Sequence, residues 1–495
     1  MPDTQQTFDS RSPADGRVVA TFPIMDAAAV GEAVDRARIA ASWWGDLSFG
    51  ERKKYLLRFK SILARRADEL AELVHQENGK PTDDALLEIL LSIEHIDWAA
   101  RNAEKVLKQR RVRPGLLTAN QDARLAYQPL GVIGIIGPWN YPVFTPMGSI
   151  AYALAAGNAL VFKPSEYTPL VGQWIVDAVN EAIPQQPVAQ LITGAGTTGA
   201  ALCHSGVDKI AFTGSGATGR KVLKECAESL TPVALELGGK DAVLVDASAN
   251  LDKAADAVTF GAYHNAGQTC AGVERVYVHE AVYHEFLEKV AEKTRALVPG
   301  TNRDSSYGPM TMPSQIDVVR RHILDAMARG GRAVVGGPES VGESVVTPVL
   351  LADVPEDSTA ITEETFGPTI VVNPVRDLDE AVDRSNASSY GLSAAIFSGD
   401  RKAMGQAANR LRTGSVTMNS WVMNAGVPAL PWGGNGESGF GRIHGADGLR
   451  EFTRAKSTTR ERFPLPIAIN ITNFQRHPQA AQLVRKTFAL IHGRS

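Results

Sequence analysis

Residues 131–164 read GVIGIIGPWNYPVFTPMGSIAYALAAGNALVFKP. GVIGIIG and ALVF are short apolar runs, and between them the stretch 147–156 has helical periodicity, which predicts strand, helix, strand. The alternation continues outward. ALVFKP is followed by a helix over 169–182, AQLIT by a helix over 197–204 and KIAFT by a helix over 218–228, before VALEL and AVLVD. Strands separated by helices of about 10–15 residues form a parallel sheet with right-handed crossovers, so a doubly wound α/β domain is expected. A second strand–helix series from Ala242 to about Val416, with strands at RVYV, AVVGG, TIVV, AAIF and GSVTM, predicts a second α/β domain. Upstream, from Asp26 to about Leu107, three stretches carry apolar residues three and four apart, the last two separated by Gly79-Lys80-Pro81. Between Arg111 and Gly131 the periodicity gives way to alternation in ARLAYQPLGV, which predicts extended chain or a hairpin, as an inserted arm.

The chain has 495 residues, 44% of them hydrophobic, enough for two or three cores at a typical domain size of about 150 residues. Lys and Arg number 51 against 54 Asp and Glu, and the net charge of -3 gives no general reason to bind nucleic acid or an anionic surface. Three cysteines are too few for a disulfide framework and suit a reducing compartment. The first thirty residues contain no basic segment followed by an apolar one, and no apolar run approaches the ~20 residues of a membrane span. A cytoplasmic location is expected.

Two loops match G-x-G-x-x-G between a strand and a helix, where backbone amides can cradle phosphate: Gly194, Gly196, Gly199 and Gly214, Gly216, Gly219. At most one is expected to serve a dinucleotide, and either can be a plain tight turn. The second loop would make Glu236, about twenty residues on, a ribose ligand. Glu166 competes for that role, because it ends ALVFKPSE beside Lys163 at the carboxyl end of a strand, where open parallel sheets bind ligands.

Cys270 lies in GQTC, between a helix-like stretch and the strand VERVYV, and is reachable beside Gly267. Cys203 and Cys226 fall inside helical patterns and read as small buried hydrophobes. Glu236 in ELGGK can act as a base toward water, with Gly238 and Gly239 removing bulk beside its carboxylate. Asn140 in PWNYP carries an uncharged amide donor of the kind an oxyanion site uses. No metal site is expected: His279 and His284 are five apart, whereas a zinc helix needs four, and neither a phosphate-binding G-x-x-x-x-G-K-[ST] loop nor a cysteine cluster occurs.

In order, PWNYP at 138–142, KPSEYTP at 163–169, FTGSGATG at 212–219, ELGGK at 236–240, GQTC at 267–270, EETFGP at 363–368, MNSW at 418–421 and PWGGNGESGFGR at 431–442 resemble the NAD(P)-dependent aldehyde dehydrogenase superfamily. The likeness spans about residues 15–460. It implies a Rossmann-like doubly wound cofactor domain, a second α/β catalytic domain and a small β oligomerisation arm. The corresponding boundaries are 1–110 and 130–238 for the NAD-binding domain, 239–436 for the catalytic domain and 111–129 with 452–462 for the arm. Residues 437–451 would return to the NAD-binding domain. By this resemblance Cys270 is the nucleophile, Asn140 and the Cys270 amide hold the oxyanion, and Glu236 activates water. Lys163 and Glu166 would meet the adenine-side ribose, Gly214 and Ser215 the pyrophosphate, Glu364 the nicotinamide ribose and Phe366 the surroundings of the nicotinamide ring. The cofactor implied is NAD, with NADP as the alternative, and the assembly a homodimer or homotetramer.

Tyr141, Phe144, Thr269 and Trp432 stand near the aldehyde tunnel by motif position, and the absence of an arginine among them favours an uncharged aliphatic or aromatic aldehyde. A CoA-acylating semialdehyde dehydrogenase is the alternative enzyme, against which Glu236 argues, and a catalytically silent binding protein the alternative outside enzymes. The tail 463–495 is basic, without an acid from Pro464 onward, and Ala480, Leu483, Val484, Phe488 and Ile491 share one helical face. Packing on a partner subunit is the favoured use of this face, and contact with an anionic membrane surface the alternative.

Overall fold

The computed structural model describes residues 6–115, 118–302, 304–463, 476 and 478–493. It forms two compact units, the first Met1–Val106 with Pro129–Thr453, the second Leu107–Gln128 with Arg454–Ser495. Within the first unit lies a six-stranded sheet in the order Gly439–Phe440, Val233–Glu236, Lys209–Thr213, Val132–Ile136, Ala159–Lys163 and Ala189–Leu191. All its pairings are parallel except Gly439–Phe440 against Val233–Glu236. Winding runs outward one way from Val132–Ile136 through Ala159–Lys163, then resumes on its other side at Lys209–Thr213, so the switch point opens at the carboxyl ends of these strands. Val132–Ile136 and Ala159–Lys163 are buried along their whole length, which is why their sequences run apolar instead of alternating.

The second sheet of this unit has seven strands, ordered Arg332–Val335, Val349–Ala352, Thr369–Val375, Val273–His279, Asp241–Val245, Ser393–Phe397 and Ser415–Met418. It is parallel apart from the edge strand Arg332–Val335. Val276, Val349, Ile370 and Phe286 sit at the centre of its largest apolar core.

Two features differ from the sequence reading. The helical stretch after Glu51 is two helices, Phe49–Arg65 and Ala67–Asn78, broken at Arg66 with φ -115° and ψ 24°. Neither Gly nor Pro marks that break, and the periodicity runs through it. Thr7–Arg11 and Val18–Pro23 pair as an antiparallel hairpin, missed because its strands are short and largely exposed. In the second unit, the extended chain expected over 111–131 is found as strands, in a three-stranded sheet ordered Thr453–Glu461, Gln121–Pro129 and Arg110–Val112. A helix, Pro478–His492, belongs to the same unit, while Arg494 of the basic tail lies outside the described residues. Among the described residues, no helix is long and apolar enough to cross a membrane.

Candidate active site

A cavity of about 950 Å³ opens at the carboxyl edge of the six-stranded sheet. Asn140, Lys163, Glu166, Gly214, Ser215, Cys270, Glu364 and Phe366 all line it. Ser215 caps the helix Gly216–Ser229, its Oγ accepting from the Thr218 amide at 3.3 Å, and no acid occupies the first turn, so the positive end of the helix dipole faces the cavity unopposed. Gly196 and Gly199 line the same cavity, so both glycine loops reach one space. Lys163 is buried, its Nζ donating to the Pro164 carbonyl at 3.2 Å, and burial lowers its pKa against the opposing charge of Glu166.

Cys270 stands at the amino-terminal edge of the seven-stranded sheet, where a strained loop presents it half-buried. Asn265, Ala266 and Gly267 occupy the left-handed region in succession, with φ of 53°, 56° and 68°. Only glycine fits at 267, because a Cβ would stand 2.1 Å from the Gly367 carbonyl oxygen. Glu236 does not line the cavity. It lies against the thiol, with Cys270 Sγ 3.9 Å from Glu236 Oε1. Trp432 Nε1 donates to that same oxygen at 2.7 Å, and Thr213 Oγ1 to Oε2 at 3.3 Å. Burial raises the Glu236 pKa, and the hydrogen bonds from Trp432, Thr213 and Cys270 oppose the rise. The Cys270 thiol is pushed well up by burial and then by the charges of Glu236, Asp241 and Glu364, so it stays protonated at neutral pH in the ligand-free chain.

Asn140 is held from three sides. Its Nδ2 donates to the Gln268 carbonyl at 3.0 Å, and its own carbonyl accepts from Lys80 Nζ at 2.7 Å and from Asn265 Nδ2 at 3.0 Å. Lys80 in turn pairs with Glu88 at 3.0 Å, both side chains buried, and Glu88 Oε2 accepts the Val143 and Phe144 amides at 3.1 Å each. Glu364 accepts from the Gly239 amide at 2.9 Å, and burial together with the charge of Glu274 pushes its pKa up to about 8. Phe366, at φ 51°, donates its amide to Glu274 and sets its ring edge-on to Trp139 at 5.5 Å.

Aromatic side chains pack against the residues on either side of Cys270. Trp421 Nε1 donates to the Ala271 carbonyl at 3.1 Å, Phe260 meets Trp421 edge-on at 5.5 Å, and Phe260 lies 4.7 Å from His264. His264 stacks on Tyr141, whose hydroxyl bonds Thr269 Oγ1 at 2.9 Å. Asp84 Oδ2 is 3.5 Å from His264 Nδ1, and burial raises its carboxyl to about 6.

Two readings change here. Trp432, expected at the tunnel wall, is buried and anchors Glu236. Gly238 and Gly239 make room for other groups: a Cβ at 238 would meet Glu364 Oε2 at 2.2 Å, and one at 239 the Cys270 carbonyl at 2.4 Å. Lys80, Glu88, Asp84, His264 and Thr213 went unmarked. The local signals near them were the Gly79-Lys80-Pro81 break and, for Thr213, the FTGSGATG string.

The model of the "Aldehyde dehydrogenase family" matches residues 1–458. The chain belongs to that family. It is 39% identical over 463 residues to the 4,4'-diapolycopene aldehyde oxidase of Methylomonas sp, covering 92% of this chain and 87% of that protein. Among solved structures, an NAD-dependent aldehyde dehydrogenase from Sinorhizobium meliloti superposes with a TM-score of 0.89 at 31% identity, covering 94% and 93% of the two chains. An NADP-dependent enzyme of E. coli superposes at 0.87 with 30% identity, covering 92% and 95%. This aldehyde dehydrogenase therefore shares its fold with users of either dinucleotide, and NAD or NADP is the cofactor of its family.

Proposed function

We propose that this aldehyde dehydrogenase oxidises an uncharged aliphatic or aromatic aldehyde to its acid with NAD, through a thioester on Cys270. The observation that carries the reading is the thiol standing 3.9 Å from a buried carboxylate at the edge of a cavity suited to a dinucleotide. The cavity's volume, the acid-free helix start at Ser215, the buried Lys163 ammonium and the Trp139 and Phe366 rings support the fit. In this assignment 1–110 and 130–238 hold the cofactor, 239–436 carry the thiol, and 111–129 with 452–462 pair subunits into a dimer or tetramer.

Cys270 Sγ, its proton released to solvent through the cavity it lines, adds to the aldehyde carbon, and the resulting oxyanion is taken by the second Nδ2 hydrogen of Asn140 and by the Cys270 amide. The Gln268 carbonyl holds the Asn140 side-chain amide, and Lys80 holds the main-chain carbonyl of the same residue. Bound NAD supplies the acceptor for the hydride that leaves the former aldehyde carbon. Glu236 then takes a proton from water as its oxygen adds to the thioester, releasing the acid and the thiol. Burial is what makes Glu236 basic enough for this, while Trp432 and Thr213 fix its direction.

A raised pKa keeps the proton on Glu236 to higher pH, so its basic form grows as pH rises above the usual carboxylate range. Steady-state turnover is expected to rise along that limb. Glu236→Gln should flatten the limb and lower turnover by about 10²–10⁴-fold, while a burst of one NADH per active site remains. An unchanged pH profile would remove the base from Glu236.

The aromatic cluster of Tyr141, His264, Phe260 and Trp421 beside the thiol segment supports an uncharged tail, as does the name of the Methylomonas relative, which specifies 4,4'-diapolycopene aldehyde. Asp84 adds a carboxyl where a carboxylate-tailed aldehyde would need a cation, and the nearby Lys80 is already paired with Glu88. Glu166 likewise opposes a 2′-phosphate, which favours NAD over NADP. Compared at matched length, a carboxylate-ended aldehyde should show kcat/KM about tenfold or more below a methyl-ended one, with NAD outperforming NADP in the same assays. Equal efficiencies would argue against this substrate class.

A further inference from the structure

The net charge of -3 conceals a segregation. The second unit, Leu107–Gln128 with Arg454–Ser495, has Asp122 and Glu461 as its only acids against thirteen Lys and Arg. Its formal charge is +11, so the rest of the chain carries -14. Helix Pro478–His492 in the same unit carries Arg485 and Lys486 exposed on its polar side. Its other side sets Leu483, Val484, Phe488 and Ile491 along one face, with Leu490 beside it. Leu483, Leu490 and Ile491 are 65%, 68% and 52% exposed, which is a large apolar load for a 15-residue helix to leave in water.

We propose that this helix docks on an anionic lipid surface, its apolar face entering the headgroup boundary while the surrounding basic groups meet lipid phosphates. Positive charge alone would suit a nucleic acid as well, but a polyanion in water offers nothing to three outward-facing aliphatic side chains. Arg485 and Lys486 carry charge of one sign, so attachment strengthens with the negative charge of the surface and weakens as salt screens it. The proposal is independent of the chemistry assigned to Cys270, and turnover of a short water-soluble aldehyde monitors the integrity of every variant.

Flotation of the purified full-length protein with vesicles tests it. Retention is expected on vesicles of phosphatidylglycerol and phosphatidylcholine, little retention on phosphatidylcholine alone, and a loss of several-fold between low and high salt. Leu483→Glu with Ile491→Glu, and separately Arg485→Glu with Lys486→Glu, should each weaken retention about tenfold or more while soluble turnover and the molar mass from light scattering stay unchanged. Absence of retention on the anionic vesicles, or retention unaffected by both pairs, would overturn the proposal. A lower molar mass for the Leu483→Glu, Ile491→Glu variant with vesicle retention intact would also overturn it, by giving the face to a second copy of the chain. Binding of a DNA or RNA duplex without vesicle binding would assign the charge to nucleic acid instead.

Discussion

Cys270→Ala is expected to lower aldehyde-dependent NADH formation by about 10⁴-fold or more, leaving NAD binding by calorimetry intact. The size of the effect follows from the loss of the thiol that forms the covalent adduct in the proposed sequence of steps, in which Asn140 and Glu236 act on species formed only after Cys270 has attacked. No second thiol can substitute. Cys203 and Cys226 are both buried and hydrogen-bonded to each other. The substitution removes a small half-buried group, so stability should change by no more than about 1 kcal/mol. Turnover within tenfold of the parent would move the nucleophile elsewhere and with it the whole proposed sequence of steps.

The second large effect concerns the buried pair Lys80–Glu88. Lys80→Met leaves the Glu88 carboxylate enclosed without its cation, and urea unfolding should show a loss of about 3–5 kcal/mol. Adding Glu88→Gln should recover part of that loss, because a neutral amide oxygen can still accept one of the Val143 and Phe144 amides that Glu88 now takes. Activity separates the structural from the positioning consequence. The Asn140 carbonyl keeps its bond from Asn265 but loses the one from Lys80, so kcat should fall about 10–100-fold in both variants while KM for NAD barely moves. Restored stability accompanied by restored kcat would mean that Lys80 only holds the fold, without orienting Asn140.

Several elements were legible because their signals are local. Helix Pro169–Ala182 coincides with the stretch read from periodicity, and the strands Lys209–Thr213 and Ser393–Phe397 match apolar runs that buried parallel strands require. The break at Arg66 was invisible for the converse reason: its backbone turns without a residue whose chemistry demands a turn. Spacing alone left Glu166 and Glu236 both as candidate ribose ligands, since each stands at or just past the carboxyl end of a strand, and it was the family resemblance that gave ribose to Glu166 and water activation to Glu236. In three dimensions Glu166 lines the cavity and Glu236 faces sulfur.

The amino-acid order by itself determined the succession of strands and helices, the two sheets' worth of apolar runs and the motif strings that mark the family, because each depends on residues a few positions apart. Only the tertiary structure decided which groups meet. Trp432 and Glu236 are 196 residues apart, and Gly267 needs its missing side chain because of Gly367. Lys80 reads locally as a solvated turn residue and becomes a buried cation only when the chain folds over it. Burial sets the cost of an unpaired charge and the pKa of a carboxyl, and burial is a property of the closed fold that no short window of sequence contains.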